Sequence, residues 1–460
     1  MYTDVVFDPA LIRRYDCSGP RYTSYPTAVQ FHEGFGEAAY RAQVARSNES
    51  GRPLSLYLHI PFCDTVCFYC ACNKVITRNR GRSSEYLRWL HREIAMQGDL
   101  FDHSRPVTQL HWGGGTPTFI SPDEIAELMA MTAEHFSLLD DDSAEYSIEV
   151  DPRSVDAKAV SRLRSIGFNR LSVGVQDFDP AVQRAVNRIQ PRETTLETLQ
   201  AARETGFRSI SVDLIYGLPR QTLGSFTRTL DEVIELAPDR LSVFNYAHLP
   251  HMFKSQRRID VAELPRPELK LAILGRVIEH LGAAGYQYIG MDHFARPQDE
   301  LAKAQRDGTL YRNFQGYSAH ADCDLVAMGA TSIGVVGSSY SQNRRDLETY
   351  AAEIVLGRLP VFRGVELSGD DQLRRSVITD LICNLRLDKS AVAASHGIEF
   401  DSYFAPELEA LRGMEVDGLV ALADDHLEVL PPGRLLIRNI CMIFDAYLKA
   451  TETHRYSKVI

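Results

Sequence analysis

The sequence predicts an α/β protein. An open, incomplete parallel barrel of six strand–helix units is preceded by an N-terminal arm and followed by a small, mainly helical, winged-helix-like domain. Three observations carry that expectation. Six short apolar runs, rich in β-branched and aromatic residues, alternate with longer amphipathic stretches, as parallel strands joined by right-handed helical crossovers do. A polar or glycine-rich motif directly follows each run, which places all the motifs on the C-terminal rim of one sheet. Beyond about residue 360 the alternation stops, and helices with a two-stranded wing take over.

Residues 1–50 show no strong periodicity and form the arm. Its segment Pro20-Arg21-Tyr22-Thr23-Ser24-Tyr25-Pro26-Thr27 suits an extended strap, or a wall of a substrate cavity presenting Arg21 and the tyrosines. The barrel with its extension occupies 51–360. Strands are expected at Leu54–Ile60, Val107–Trp112, Tyr146–Val150, Leu171–Val175, Ile210–Ile215 and Leu241–Tyr246. Six units fall short of the eight that close a full barrel. Helices are expected at Ser83–Gln97, with Leu87, Leu90 and Ile94 on one face, and at Pro122–Phe136, with Ser121 as N-cap. Glu193–Gly206, Gln221–Leu236 and Glu268–Gly282 follow. In the last domain, 361–460, helices are expected at Asp371–Asn384, Pro406–Asp417 and Gly433–Leu448, with a hairpin of Leu419–Ala423 and Leu427–Leu430.

At 460 residues the chain is long enough for two or three domains. A formal net charge of -11 excludes a general nucleic-acid binder, which needs a basic face, although Arg78, Arg80 and Arg82 make a local basic patch. No apolar run has the length of a membrane span, and the N-terminus lacks the features of a signal peptide. A cytoplasmic protein with reduced thiols is the expectation, so clustered cysteines point to metal or redox chemistry rather than disulfides.

Four of the eight cysteines, Cys63, Cys67, Cys70 and Cys72, lie in the loop after the first strand. Zinc sites commonly join two separate knuckles, and there is no second pair here. Three thiolates spaced C-x3-C-x2-C on one loop suit a cubane iron–sulfur cluster with one iron free of protein ligands. Cys17, Cys323, Cys383 and Cys441 are scattered and read as small buried apolar residues. Gly113-Gly114-Gly115 after the second strand is neither a P-loop nor a dinucleotide fingerprint, and exposes backbone N–H and C=O groups to a ligand. Glu149, Gln176, Asp213 and Ala247 stand at or after the next strand ends. Carboxylates there suit ribose hydroxyls or an amino group, or are simply structural. His59, His111, His248 and His293 read as packing or substrate contacts rather than metal ligands.

The cysteine spacing followed by Gly-Gly-Gly-Thr-Pro resembles the radical S-adenosylmethionine (SAM) enzymes. The resemblance is closer still to the oxygen-independent coproporphyrinogen III oxidases. It spans nearly the whole chain, through Arg21–Thr27, His59–Cys63, Cys70–Lys74, His111–Thr118, Ser147–Pro152, Asp213–Pro219, Gly290–Ala295 and Asn313–Tyr317. It implies a 4Fe–4S cluster on Cys63, Cys67 and Cys70, with Cys72 nearby but not ligating. A SAM chelating the open iron would meet Tyr57, Gly114 and Glu149. A second SAM would meet Tyr69, Gly115, Thr116, Gln176, Arg188, Asp213, Ala247 and Ile333.

The implied reaction converts two propionate side chains of coproporphyrinogen III to vinyl groups, giving protoporphyrinogen IX. A 5′-deoxyadenosyl radical from SAM takes a β-hydrogen, and loss of CO2 and one electron follows. No side-chain acid or base is required. The substrate's four carboxylates call for cations, and Arg21, Lys74, Arg78 and Arg312 are candidates. The expected partners are this tetrapyrrole and an electron donor of flavodoxin or ferredoxin type, acting on a monomer. A radical-SAM haem chaperone, another tetrapyrrole-modifying or methyl-transferring radical SAM enzyme, and a zinc-stabilised binding module stay open as alternatives.

Overall fold

The computed structural model describes residues 5–448. By contacts the chain forms two compact units. One comprises Gln30–Pro265 and Asp322–Glu366; the other comprises the residues up to Val29, Arg266–Ala321 and those from Leu367 on. These units are defined in space, whereas the division at 50 and 360 runs along the chain.

The first unit holds the six expected strands: β1 Leu54–Ile60, β2 Pro106–Gly114, β3 Glu145–Val150, β4 Arg170–Gln176, β5 Ser209–Tyr216 and β6 Arg240–Asn245. Each pairs in parallel with the next, in the order β6-β5-β4-β3-β2-β1. On the other side of β1 the sheet continues with parallel β7 (Asp324–Met328) and antiparallel β8 (Ile333–Val336), β9 (Ser339–Asn343) and β10 (Val361–Glu366). The crossover helices are α1 Arg80–Gly98, α2 Pro122–His135, α3 Ala157–Ile166, α4 Arg192–Glu204 and α5 Leu223–Leu236. Ser121 closes a capping box with Glu124 ahead of Pro122, so α2 starts where its sequence dictates. Leu87, Leu90 and Ile94 bury the inner face of α1.

Alternation within the strands sets up the site. Leu56 and Leu58, Leu110 and Trp112, Ile148 and Val150, Val173 and Val175, and Val212 and Leu214 are fully buried. The intervening row is half-buried and polar or small: Tyr57, His111, Ser147, Glu149, Ser172, Gly174, Gln176 and Asp213. A period of two thus separates a packed outer row from an inner one able to face a ligand.

Several expectations need correction. The arm is not merely extended, since it contains helices Pro9–Arg14 and Glu37–Asn48. The second of these buries Tyr40, Gln43, Val44 and Ser47, an alternation of apolar and polar residues without an apolar period. Tyr22 and Tyr25 lie in the core of the second unit with Leu381, Ile382, Ile440 and Phe444, so they serve packing. The Tyr22 hydroxyl donates to Asp445 at 2.9 Å, and the Ala446 N–H donates to the Tyr25 oxygen at 3.1 Å. The wing has three strands, Arg386–Asp388, Val420–Leu422 and His426–Val429, beside helices Gly369–Asn384, Lys389–His396 and Ala405–Val416. The final helix is shorter than expected. Pro431-Pro432-Gly433 opens a 3-10 turn to Leu436, and the α-helix runs only from Ile437 to Ile443. Cys383 and Cys441 are buried as expected, but Cys17 and Cys323 are half-exposed. Among the described residues no helix is long and apolar enough to cross a membrane.

Candidate active site

The loop after β1 is fastened at both ends. The Val75 and Thr77 N–H groups donate to the carbonyls of Pro61 (2.6 Å) and Cys63 (3.0 Å). Its middle is pinned by Asn187, whose side-chain amide donates to Val66 O at 2.7 Å, and by the Phe68 N–H to Val186 O at 2.9 Å. Ser255 and Gln256 donate to the carbonyls of Cys70 and Tyr69, each at 2.9 Å. The glycine run is stitched to the same loop by Gly115 N–H to Ile60 O and Thr116 N–H to Phe62 O, each 2.9 Å. A Cβ on Gly115 would lie 2.7 Å from Pro61 C and Phe62 O, so only glycine lets the two loops approach so closely.

Together the two loops wall a cavity of about 550 Å³. Cys63, Cys67 and Cys70 line it, with Cys72 and Lys74 beside them and Glu149, Gln176, Arg188 and Asp213 among the residues opposite. The sulfurs have different surroundings. Thr116 Oγ1 lies 3.5 Å from Cys63 Sγ, and burial pushes that thiol up to about 11. Cys67 receives guanidinium donors from Arg188 at 3.6 Å and Arg153 at 3.7 Å. A hydrogen bond from Cys72, assisted by Lys74, holds Cys70 below the ordinary thiol value, and the same bond pushes Cys72 up. The four thiols are therefore not equivalent.

The carboxylates are tuned apart. Burial would raise Glu149, but His111 and the Gly114 N–H (3.2 Å) overrule it and hold the carboxyl low. Burial, with the charge of Glu149, pushes Asp213 up to about 6; its Oδ2 accepts from Ser172 at 3.3 Å. The inner row continues through Tyr57, stacked on His111 at 5.9 Å, and His111 lies 3.4 Å from Glu149.

His59 beneath the glycine run is neutral. Its Nε2–H donates to Asn73 O at 3.2 Å, which leaves Nδ1 to accept from the Tyr57 hydroxyl at 3.0 Å. Burial lowers it from 6.5 to about 4. The unfolded chain thus binds this proton more tightly, so the stability contribution is complete above about pH 6.5 and lost as pH falls toward 4. The gap corresponds to roughly 3 kcal/mol. Denaturant titrations of the wild type and a His59→Gln variant between these pH values are expected to show a steeper acid loss in the wild type. Equal slopes would contradict this.

Of the other residues singled out from the sequence, Tyr69, Gly114, Gly115, Thr116 and Lys74 line the cavity, whereas Tyr57, Ala247 and Ile333 are not among its lining residues. Ala247 is tied to Tyr69 through Gln256, which donates to both carbonyls. Ile333 begins β8 opposite Gln342. Arg78 is exposed. Arg21 and Arg312 belong to the second unit. There Arg21 pairs with Asp292 at 2.8 Å, and Arg312 is buried over Tyr317, with Nε and Nη1 lacking hydrogen-bond partners. Asp151, inside the Ser147–Pro152 motif, also lines the cavity, as do Arg153, Ser172, Gly174 and Phe244, which the sequence did not single out. Ser172 and Gly174 could have been found by counting back in twos from Gln176.

Comparison with known proteins gives the family. Residues 57–233 match the Radical SAM superfamily, and 367–436 match the HemN C-terminal domain. The oxygen-independent coproporphyrinogen III oxidase of Pseudomonas aeruginosa is 54% identical over 460 residues, covering 100% of both chains. The chain belongs to the oxygen-independent coproporphyrinogen III oxidases. The Escherichia coli K12 member of that family is 51% identical over 99% of this chain and 98% of its own. A solved structure described as coproporphyrinogen III oxidase (HemN) from Escherichia coli, a radical SAM enzyme, superposes with a TM-score of 0.92. It shows 50% identity and covers 97% of this chain and 100% of that one.

Membership in this radical SAM family brings a 4Fe–4S cluster and SAM, and the cavity fits both. Three thiols share one wall. Opposite them, the glycine backbone, a low carboxylate and buried Arg188, whose Nε lacks a partner, offer acceptors and donors to a zwitterionic nucleoside.

Proposed function

We propose that this oxygen-independent coproporphyrinogen III oxidase oxidatively decarboxylates two propionate side chains of coproporphyrinogen III to vinyl groups, giving protoporphyrinogen IX for haem synthesis. One observation carries the reading. In a chain 54% identical end to end to a curated family member, the cysteine loop, glycine run and carboxylate row share a single cavity. When bound, the cluster and SAM supply one-electron reduction and hydrogen-atom abstraction.

The chain's own residues bind and orient. Cys63, Cys67 and Cys70 act as thiolate ligands. Tyr57, Gly114 and Glu149 would hold the first SAM, the low carboxyl of Glu149 offering it an acceptor. Tyr69, Gly115, Thr116, Gln176, Arg188, Asp213, Ala247 and Ile333 serve a second SAM. Lys74, Arg21, Arg78 and Arg312 anchor substrate carboxylates; the unpartnered nitrogens of Arg312 favour it most, since a buried guanidinium without acceptors awaits one.

The electron donor is an acidic flavodoxin- or ferredoxin-type carrier, and the enzyme is a cytoplasmic monomer. Lys254, Arg257 and Arg258 are exposed on the turn whose Ser255 and Gln256 bond the cysteine loop, which supports an acidic carrier docking there. Added salt is expected to slow turnover driven by reduced flavodoxin but not by dithionite; equal salt effects would argue against such docking.

The function itself is tested anaerobically with coproporphyrinogen III, SAM and a reductant. Vinyl product and CO2 are expected. Tight haem binding without vinyl product would favour a chaperone and reject the oxidase reading. Cys72→Ser is expected to keep the brown chromophore with altered activity, and its loss would contradict a three-ligand cluster.

A further inference from the structure

One cluster-loop sulfur sits in a cationic cradle, two of whose three members, Asp151 and Arg153, have no part in the reaction as described. Asp151, at the end of β3, caps the turn Pro152–Ser154 and accepts the Arg153 N–H at 3.0 Å. The Arg153 guanidinium folds back on the same carboxylate, with Nε at 3.0 and 3.2 Å and Nη2 at 2.6 Å. Arg188, from beyond β4, reaches Asp151 Oδ2 at 3.1 Å and fixes its other end to Gly174 O at 2.7 Å. Both forks then present an Nη to Cys67 Sγ, at 3.7 and 3.6 Å. The side chains of Arg153, Asp151 and Arg188 are 23%, 13% and 8% exposed, and Cys67 is 9% exposed, so solvent screens them little. Cys63 Sγ meets the neutral Thr116 hydroxyl, and Cys70 has the Cys72 thiol and Lys74. Cys67 alone among the three is held between two guanidiniums.

We infer that the Arg153–Asp151–Arg188 cradle raises the reduction potential of the cluster through Cys67. This rests on the proposed ligation by Cys67. Two guanidiniums against one carboxylate leave one net positive charge facing the sulfur. A reduced cluster carries one more electron than an oxidised one, and its thiolate sulfurs share that charge. Charge-assisted donors on Cys67 therefore favour the reduced state. Asp151 both orients the two forks and offsets part of their charge, so it fixes how far the potential is raised. Arg153 and Asp151 are tuning residues and need not touch substrate.

The test is an EPR-monitored redox titration of anaerobically reconstituted enzyme, without turnover. For Arg153→Gln, the ratio of reduced to oxidised cluster at a fixed solution potential is expected to fall about tenfold, a one-electron shift of about 59 mV to more negative values. Arg153→Lys keeps the charge and is expected to stay within about twofold of the wild type by the same relation. Asp151→Asn removes the offsetting charge and is expected to shift the other way. An Arg153→Gln potential equal to the wild type, or shifts of the same sign in Arg153→Gln and Asp151→Asn, would overturn the inference. If Arg153→Gln assembles no cluster, the Asp151→Asn and Arg153→Lys potentials decide. A wild type that assembles no 4Fe–4S cluster would instead reject the ligand assignment beneath it.

Discussion

Replacing Cys67 by serine is expected to abolish both the bound cluster and turnover. Cys67 is the most buried of the three loop thiols and the only one at which two guanidiniums converge. A serine hydroxyl does not ionise near neutral pH and is a hard oxygen donor, poorly matched to iron that cubane sites hold through soft thiolates. Two remaining ligands would leave two irons open, and the cubane would be lost on handling. Iron and sulfide content after anaerobic reconstitution, read beside vinyl formation, checks this. The fold is expected to survive, since the loop is held by backbone bonds at Pro61, Cys63 and Val186 that do not involve the thiol. A Cys67→Ser protein with wild-type iron content and a circular dichroism spectrum unchanged would overturn the assignment.

The second large effect is expected at Gly114. Its φ of 122° lies where L side chains are strained, at a cost of roughly 1–3 kcal/mol. Strain is only part of the effect. A Cβ there would lie 2.7 Å from His59 Cε1, 2.8 Å from His59 Nδ1 and 2.9 Å from the Ile60 carbonyl. His59 cannot yield easily, because Tyr57 and Asn73 hold both ring nitrogens. The β2 end would therefore lift away from β1, and the Gly114 N–H would leave Glu149. Gly114→Ala is expected to lower the denaturation midpoint and to weaken SAM binding at least tenfold, more than 1.4 kcal/mol. Equilibrium dialysis with labelled SAM measures the latter. Wild-type affinity in a folded Gly114→Ala protein would show that this approach of backbone and ligand does not matter.

What the sequence discloses follows from which physical signals are local. The cysteine loop, the glycine run, Glu149 and Asp213 are legible because parallel strands force motifs at their ends onto one rim. Strands β8–β10 are not. β9 is buried at every position yet reads Ser339-Tyr340-Ser341-Gln342-Asn343, and no hydropathy pattern announces it. Its polar groups find partners far away in the chain, as when Asn343 donates to buried Glu93 at 2.7 Å and to Gly329 O at 3.0 Å. Helix Glu37–Asn48 stays hidden for the same reason, since Gln43 and Ser47 are buried alongside Tyr40 and Val44. Long-range pairs such as Arg188 and Cys67, 121 residues apart, leave no trace in a single sequence. Their neighbours Asp151, inside the Glu149 motif, and Arg153, just after it, are nonetheless in plain sight.

The central claim is that Cys63, Cys67 and Cys70 leave one iron of the cluster for SAM, with Cys72 outside the ligand set. Mössbauer spectroscopy of the protein reconstituted with isotopically enriched iron, recorded with and without SAM, tests it most directly. One iron is expected to differ from the other three and to change its parameters when SAM is added, in the wild type and in Cys72→Ser alike. Four equivalent irons that ignore SAM, or a unique iron that responds only when Cys72 is replaced, would contradict the account.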